Sequence, residues 1–284
     1  MNSRATARRL AETPTSALPR EPAPDARPRA VPRHALRAWP AIARACRAGS
    51  VRALLLDFDG TLVPIRRRPQ DVRCSRRLRA LLARVARRPQ LWVGILTGRR
   101  ARAVARLVGV PGIHYRGAYG AETEDAPLKL PAACLHALSR ARRTLAQNIR
   151  NLKGVWLENK GLSFVLHYRT ARRRAIAAAE AARREALAPA QRFLRAIAGK
   201  KTWEVVPRRI PGKGAAVSAV LRSLPPGAVA AYLGDDAADE AAFAALPRGI
   251  TICVGRREHT CARYFLRGPA EVFEWLARFE EVLD

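Results

Sequence analysis

The sequence predicts an α/β fold: a doubly wound parallel sheet with a second, α+β unit inserted into it. Three observations predict this. Short apolar runs end on glycine or a carboxylate and alternate with longer segments of helical period. Between about residues 129 and 206 the alternation stops, and two strand-like runs stand only three residues apart, the spacing of a hairpin and not of a crossover. The polar residues gather just after the apolar runs, where open parallel sheets hold their ligands.

Each element follows from a local pattern. Residues 1–48 read as a flexible basic tail, because residues 1–40 hold seven of the 20 prolines among many arginines and alanines, with no sustained period. They contain no compact apolar core of a signal peptide, and Glu12, Glu21 and Asp25 interrupt the acid-poor pattern of a transit peptide. Residues 35–47 read as a short helix leading in. Residues 51–58 (VRALLLDF) form an apolar run ending at carboxylates and Gly60, which predicts a buried parallel strand. A helix is expected over 78–86, a strand over 91–96, a helix from Thr97-Gly98 to about Val108, and a short strand over 114–116. The inserted unit comprises a helix over 132–151 and a hairpin of strands 155–158 and 162–168 around Asn159-Lys160-Gly161. A long Ala/Arg helix over 171–187 and a strand over 202–206 complete it. The parallel pattern resumes with a helix over 215–224 and a strand over 230–233 ending at Gly234-Asp235-Asp236. A further helix, a strand over 250–254 and an amphipathic closing helix over 270–282 follow. The main domain is therefore expected over 49–128 and 207–284, with residues 129–206 as the inserted domain.

At 284 residues the chain is long enough for about two domains. A content of 49% hydrophobic and 27% charged residues is that of a soluble globular protein. Collagen-like, mucin-like and wholly disordered classes are excluded, and no apolar run approaches the ~18 residues of a membrane span. Lys and Arg total 53 against 23 acids, a formal charge of +30. Six of these are lysine and 47 arginine, scattered in doublets such as Arg142-Arg143 and Arg183-Arg184, not set in one stripe with interleaved aromatics. That pattern fits coding bias on solvated helix faces. It predicts non-specific adhesion to nucleic acid at low salt and no dedicated recognition. The five cysteines (46, 74, 134, 253 and 261) are odd in number and lack C-x-x-C spacing. They argue against a disulfide framework or zinc site and for a reducing, cytoplasmic compartment.

Three polar groups follow independently identified strands. Asp57-Phe58-Asp59-Gly60-Thr61 sets two carboxylates two residues apart just past a strand end. One can attack a phosphoryl group; the other can protonate the leaving oxygen and then activate water. Such pairs also cap turns or bind Ca2+, so it is the position directly after an apolar run that gives this one weight. Asp235, Asp236 and Asp239 cluster on a second strand-to-helix turn. Helix capping accounts for one of them, whereas three acids so close repel unless a cation sits among them. With Asp57 and the Asp59 carbonyl they offer the hard oxygen donors that suit Mg2+. Thr97-Gly98 opens a helix whose free N–H groups, with the hydroxyl, can hold a phosphoryl oxygen. Lys213, in Pro211-Gly212-Lys213-Gly214, also begins a helix, where it can neutralise a transferring phosphoryl group; plain surface placement is the alternative.

In this order, D-F-D-G-T-L (57–62), T-G-R (97–99), K-G (213–214) and G-D-D-x-x-D-E (234–240) resemble the four motifs of Mg2+-dependent phosphatases of the haloacid dehalogenase superfamily. The insertion between the second and third motifs is similar to a C2-type cap, and the resemblance implies a Rossmann-like core beneath it. Leu157-Glu158-x-Lys160-Gly161, His167-Tyr168-Arg169 and Trp203-Glu204-Val205-Val206-Pro207 narrow the resemblance to the trehalose-6-phosphate phosphatase family, over residues 50–283.

The resemblance implies roles residue by residue. Asp57 would be the nucleophile and Asp59 the general acid/base. Thr97, Gly98 and Arg99 with Lys213 would contact the phosphoryl group. Asp235 with Asp57 and Asp59 would bind Mg2+, and Asp236 and Asp239 would be further ligands or supports. Glu158, Lys160, Arg169 and Glu204 would grip sugar hydroxyls; a solvated cross-strand charge network is the alternative. Two residues depart from the family: Tyr119, in Gly117-Ala118-Tyr119-Gly120, stands where it has His, and Ala238 where it has Thr. The implied function is Mg2+-dependent hydrolysis of trehalose 6-phosphate through an aspartyl-phosphate, with a trehalose-6-phosphate synthase as partner in the pathway. Its rivals are a phosphatase of the same superfamily for sucrose phosphate or a glycosyl phosphoglycerate, and a weakened, basic, nucleic-acid-associated protein. The complete Asp57/Asp59/Lys213/Asp235 set argues against the last.

Overall fold

The structure, a computed structural model, describes residues 31–47, 51–66, 68–199, 201–255 and 259–283. In chain order they form β1 (Arg33–His34), α1 (Trp39–Arg47), β2 (Val51–Leu56), α2 (Arg76–Ala86), β3 (Trp92–Leu96), α3 (Ala101–Val108), β4 (Ile113–Gly117) and β5 (Glu122–Thr123). Next come α4 (Ala132–Ile149), β6 (Trp156–Asn159), β7 (Phe164–His167), α5 (Arg173–Leu187), β8 (Leu194–Gly199) and β9 (Thr202–Pro207). The chain closes with α6 (Lys213–Ser223), β10 (Val229–Gly234), α7 (Ala237–Ala244), β11 (Ile250–Val254), β12 (Tyr264–Leu266) and α8 (Pro269–Val282).

The larger sheet has the order β1-β12-β11-β10-β2-β3-β4-β5, parallel throughout except for β5. Its central strands are apolar on both faces because both are covered. Leu54, Leu56, Val93, Ile95, Leu233 and Ile252 pack with α1, α2, α3 and α8. The alternate residues Ala53, Leu55, Leu96 and Tyr232 pack with α6 and α7.

The inserted residues build a separate antiparallel sheet, order β6-β7-β9-β8. One of its faces buries Phe164, Leu166 and Val205 against α4 and α5. On α4 the buried residues Cys134, Ala137, Leu138, Ala141, Leu145 and Ile149 recur at three and four, one stripe of a helix. No helix among the described residues is long and apolar enough to cross a membrane.

Two expectations change. Residues 1–30 and 48 of the expected tail lie outside the described residues, but residues 33–47 are built into the fold. β1 pairs in parallel with β12. α1 buries Ile42, Ala43 and Cys46, and Trp39 meets Trp275 of α8 edge-on at 6.1 Å. The helix expected over 35–47 is therefore α1, packed into the core instead of extending the tail. β8 was not expected, since Leu-Arg-Ala-Ile-Ala-Gly is weak strand sequence. Pairing along the whole of β9 makes it a strand.

Candidate active site

A reversal of winding places two acids side by side. β2 and β10 are neighbours, yet the chain leaves β2 for β3 on one flank and β10 for β11 on the other, which opens a crevice at their carboxyl ends. Leu56 is the register partner of Leu233, and the Asp57 N–H donates to the Leu233 carbonyl at 2.9 Å. Asp57 and Asp235 thus leave adjacent strands together. Gly60, with φ +91°, closes the turn against them: a Cβ there would lie 2.2 Å from Asp235 Oδ2.

Lys213, the first residue of α6, is 4% exposed. Its Nζ donates to Asp57 Oδ1 and to Asp239 Oδ1, both at 2.6 Å. Asp239 is fully buried and also accepts the Tyr232 hydroxyl at 2.5 Å and the Asp236 N–H at 2.8 Å. Asp236 caps α7, accepting the Ala237 N–H at 2.7 Å, and forms a reciprocal capping box with Asp239. Capping therefore accounts for two of the three acids in this turn and leaves Asp235 over. Ligand oxygens of Asp57, Asp235 and Asp239 lie within 4.8 Å of one another. Asp236 and the Asp59 side chain are not members of that group.

Burial pushes Asp57 up to about 7 against the pull of Lys213. Burial, then the charges of Asp57, Asp239 and Asp236, pushes Asp235 up to about 9. Burial also works against the Lys213 ammonium, but Asp239 and Asp57 outweigh it and hold that group well above the ordinary lysine value. Among the described residues the Lys213 ammonium thus faces two buried carboxylates, Asp57 and Asp239, beside the half-buried Asp235, and like charges crowd together. Three hard oxygen donors with no His or Cys among them fit Mg2+.

Thr97 is buried at the end of β3, and its Oγ1 accepts the Arg99 N–H at 3.2 Å. Gly98 and Arg99 continue that turn. The Arg99 guanidinium grips Asp59 in a bidentate fork, Nε–Oδ2 2.6 Å and Nη2–Oδ1 2.7 Å.

The open face of the smaller sheet looks onto this pair. Glu158, Val165 and Glu204 are register partners across β6, β7 and β9, so the two acids share one face. Glu204 accepts Ser163 Oγ at 2.6 Å, Lys160 Nζ at 3.3 Å and the hydroxyl of Tyr119. Glu158 is hydrogen-bonded to His167 Nε2 at 2.9 Å, and Trp156 stacks on His167 with centroids 3.9 Å apart. Burial opposes the Glu158 charge, but His167 and Lys160 hold the carboxyl below its ordinary value. Burial likewise opposes the Lys160 charge, and Glu204 and Glu158 raise it nonetheless. The charges act across the gap, Glu158 on Arg99 and Asp59 on Lys160.

Arg169 lies in an exposed turn two residues past the end of β7. Four neighbours of the site were not singled out as site residues in the sequence: Tyr119, Ser163, His167 and Tyr232. Tyr232 carried a signal, since a hydroxyl inside an apolar strand needs a buried partner.

The sequence model of the trehalose-phosphatase family matches residues 55–270. The trehalose-phosphate phosphatase of Mycobacterium ulcerans (strain Agy99) is 34% identical over 248 residues, covering 82% of this chain and 62% of that protein. That of Mycobacterium avium (strain 104) is 32% identical over 259 residues, covering 84% and 64%. The chain thus spans less than two thirds of the length of these relatives. Among solved structures, the C-terminal domain of C. albicans trehalose-6-phosphate phosphatase aligns with 90% of this chain and 99% of that domain, with a TM-score of 0.74 at 20% identity, a likeness of fold. Because the family match runs from the end of β2 into α8 and takes in all four motifs and the whole inserted sheet, the chain belongs to the trehalose-phosphatase family.

Proposed function

We propose that the chain hydrolyses trehalose 6-phosphate to trehalose and phosphate through an aspartyl-phosphate, with Mg2+ as cofactor. One observation carries the reading. The buried Asp57–Lys213–Asp239 chain beside Asp235 is faced, across Asp59 and Arg99, by a sheet presenting Glu158, Lys160 and Glu204. A phosphoryl group fits the first set and sugar hydroxyls the second.

Asp57, Asp235 and the Asp59 carbonyl would hold Mg2+, with Asp239 and Asp236 as supports. When bound, the ion supplies positive charge to the phosphoryl oxygens and to the buried acids. Asp57 attacks phosphorus, the bond from phosphorus to the sugar oxygen breaks, and that oxygen takes a proton from Asp59. Water then attacks the aspartyl-phosphate, gives its proton to Asp59, and releases phosphate and the Asp57 carboxylate. Lys213 neutralises charge on the transferring group, and Thr97 with the Gly98 backbone contacts its oxygens. Arg99 engages both Asp59 oxygens in this structure, so Asp59 handles a proton once the guanidinium turns away; the substrate's phosphate offers it a second bidentate partner. The inserted sheet acts as a cap that closes over the sugar and excludes water. The five cysteines, none of them in a disulfide, support a reducing cytoplasm, where a synthase would supply the substrate.

The test is phosphate release from trehalose 6-phosphate, sucrose 6-phosphate, glucose 6-phosphate and mannosyl phosphoglycerate, with Mg2+ and with chelator. Turnover selective for trehalose 6-phosphate and lost on chelation is the expected result. Turnover of another ester keeps the chemistry and discards the substrate; turnover that survives chelation discards the metal. Glu158→Ala is expected to cut kcat/KM for trehalose 6-phosphate by about tenfold or more, the worth of a hydrogen bond to a charged group. Small aryl phosphates should lose far less, and equal losses would show the sugar site to lie elsewhere.

A further inference from the structure

Tyr119 stands between β4 and β5, where Ala118 (φ 47°) and Tyr119 (φ 58°) both take the left-handed backbone that residues other than glycine rarely adopt. Backbone bonds to the Thr97–Arg99 turn hold them there: the Ala118 N–H donates to the Arg99 carbonyl at 2.8 Å and the Tyr119 N–H to the Thr97 carbonyl at 2.9 Å. The ring lies against Gly98, where a Cβ would come within 3.0 Å of the tyrosine oxygen. From this anchorage the buried hydroxyl donates to Glu204 Oε2 on β9. Ala118, Tyr119, Val206 and Ile210 form a small apolar cluster against which Leu162, Ile197 and Ala238 pack. The two departures from the family pattern, Tyr119 and Ala238, therefore meet in one place. Backbone strain of this kind persists where the surroundings over-determine it, and it concentrates at functional sites.

We propose that Tyr119 is a positioning residue for the sugar end of the site, tying the turn at the phosphoryl group to the carboxylate at the sugar. The inference rests on the reading of Glu204 as a sugar ligand. Two other donors to Glu204, Ser163 and Lys160, lie in the turn that joins β6 to β7 of its own sheet and move with that sheet. They fix the carboxylate relative to the hairpin. Tyr119 fixes it relative to Thr97 and, through Arg99 of the same turn, to Asp59. One rigid side chain thereby sets the distance between phosphate and sugar, and selects esters whose hydroxyls reach Glu204 while the phosphate lies at Thr97.

Tyr119→Phe in the full chain keeps the ring and the turn and removes one O–H. The expected result is a loss in kcat/KM for trehalose 6-phosphate, carried mainly by KM, that exceeds the loss on p-nitrophenyl phosphate by about tenfold or more. In the ligand-free variant, amide hydrogen exchange should quicken in β9 and in residues 159–163 and stay unchanged in β2 and β10. Equal losses on both esters overturn the proposal, as does unchanged exchange. Should wild-type protein cleave p-nitrophenyl phosphate and not trehalose 6-phosphate, the substrate reading fails, and the exchange comparison alone decides the role of Tyr119. Glu204→Gln weakens the same bond from the other side and must give the same exchange pattern, which keeps the test decisive if Tyr119→Phe does not fold.

Discussion

Asp57→Asn is expected to abolish phosphate release, by about 10⁴-fold or more in kcat, on the scale seen when an enzyme loses its nucleophile. The fold should survive the change and gain from it. Asp57 is buried, its carboxyl is pushed up to about 7, and it stands among the like charges of Asp239 and Asp59. An amide of the same shape removes one negative charge from a space that holds too many. Lys213 keeps Asp239 as its charged partner at 2.6 Å, and the backbone bond from Asp57 to Leu233 does not depend on the side chain. A thermal melt should therefore place the variant at or above the wild type, the usual trade between stability and a charged site. Retained turnover would remove Asp57 from the mechanism. A melting temperature several degrees lower would show that Asp57 stabilises the cluster instead of straining it.

The sequence carried β2, β3, β4, β10 and β11 of the large sheet, because strands buried on both faces read as unbroken apolar runs and each was followed by a residue that could end it; the short strands β1 and β12 at one end of the sheet and β5 at the other gave no such run. It carried the site to the same depth: Asp57, Asp59, Thr97 and Asp235 all stand just past strand ends, a position that is local in the chain. What escaped was set by contacts distant in sequence. β8 is a strand because β9 pairs with it, not because of its own residues. The capping box of Asp236 with Asp239 has the local spacing of a helix start, yet nothing local shows that Lys213, 26 residues away, reaches the other Asp239 oxygen. The motif His167-Tyr168-Arg169 spans a strand end, so His167 is hydrogen-bonded to Glu158 while Arg169 lies in the exposed turn beyond β7. Tyr119 was visible as a departure from the family, and its partner on the other sheet was not.

Lys213→Met tests the charge balance of the site without reference to any substrate. The ammonium is buried against two carboxylates at 2.6 Å, with a third close by. A methionine of similar length leaves all three acids unanswered, so the expected cost is about 3–5 kcal/mol of stability, as for a buried pair that loses one partner. Turnover should fall by about 10³-fold or more as the transferring phosphoryl group loses its counter-charge. The sign of the pH dependence follows from the same acids. In the metal-free protein Asp57 and Asp235 titrate near 7 and 9 against an ordinary 3.8. The folded state therefore binds more protons than the unfolded one across that window, and their contribution to stability falls as pH rises from about 4 to about 9. Mg2+ needs those carboxylates ionised, so the rise in melting temperature that it produces should grow from pH 5 to pH 8. In Lys213→Met the added ion should recover part of the lost stability, since it restores positive charge to the same oxygens. If Mg2+ shifts neither protein at any pH, Asp57 and Asp235 do not hold a cation, and Lys213 alone must balance the acids. If Lys213→Met melts with the wild type, the buried pair does not hold the site together, and the lysine is there for the phosphoryl group.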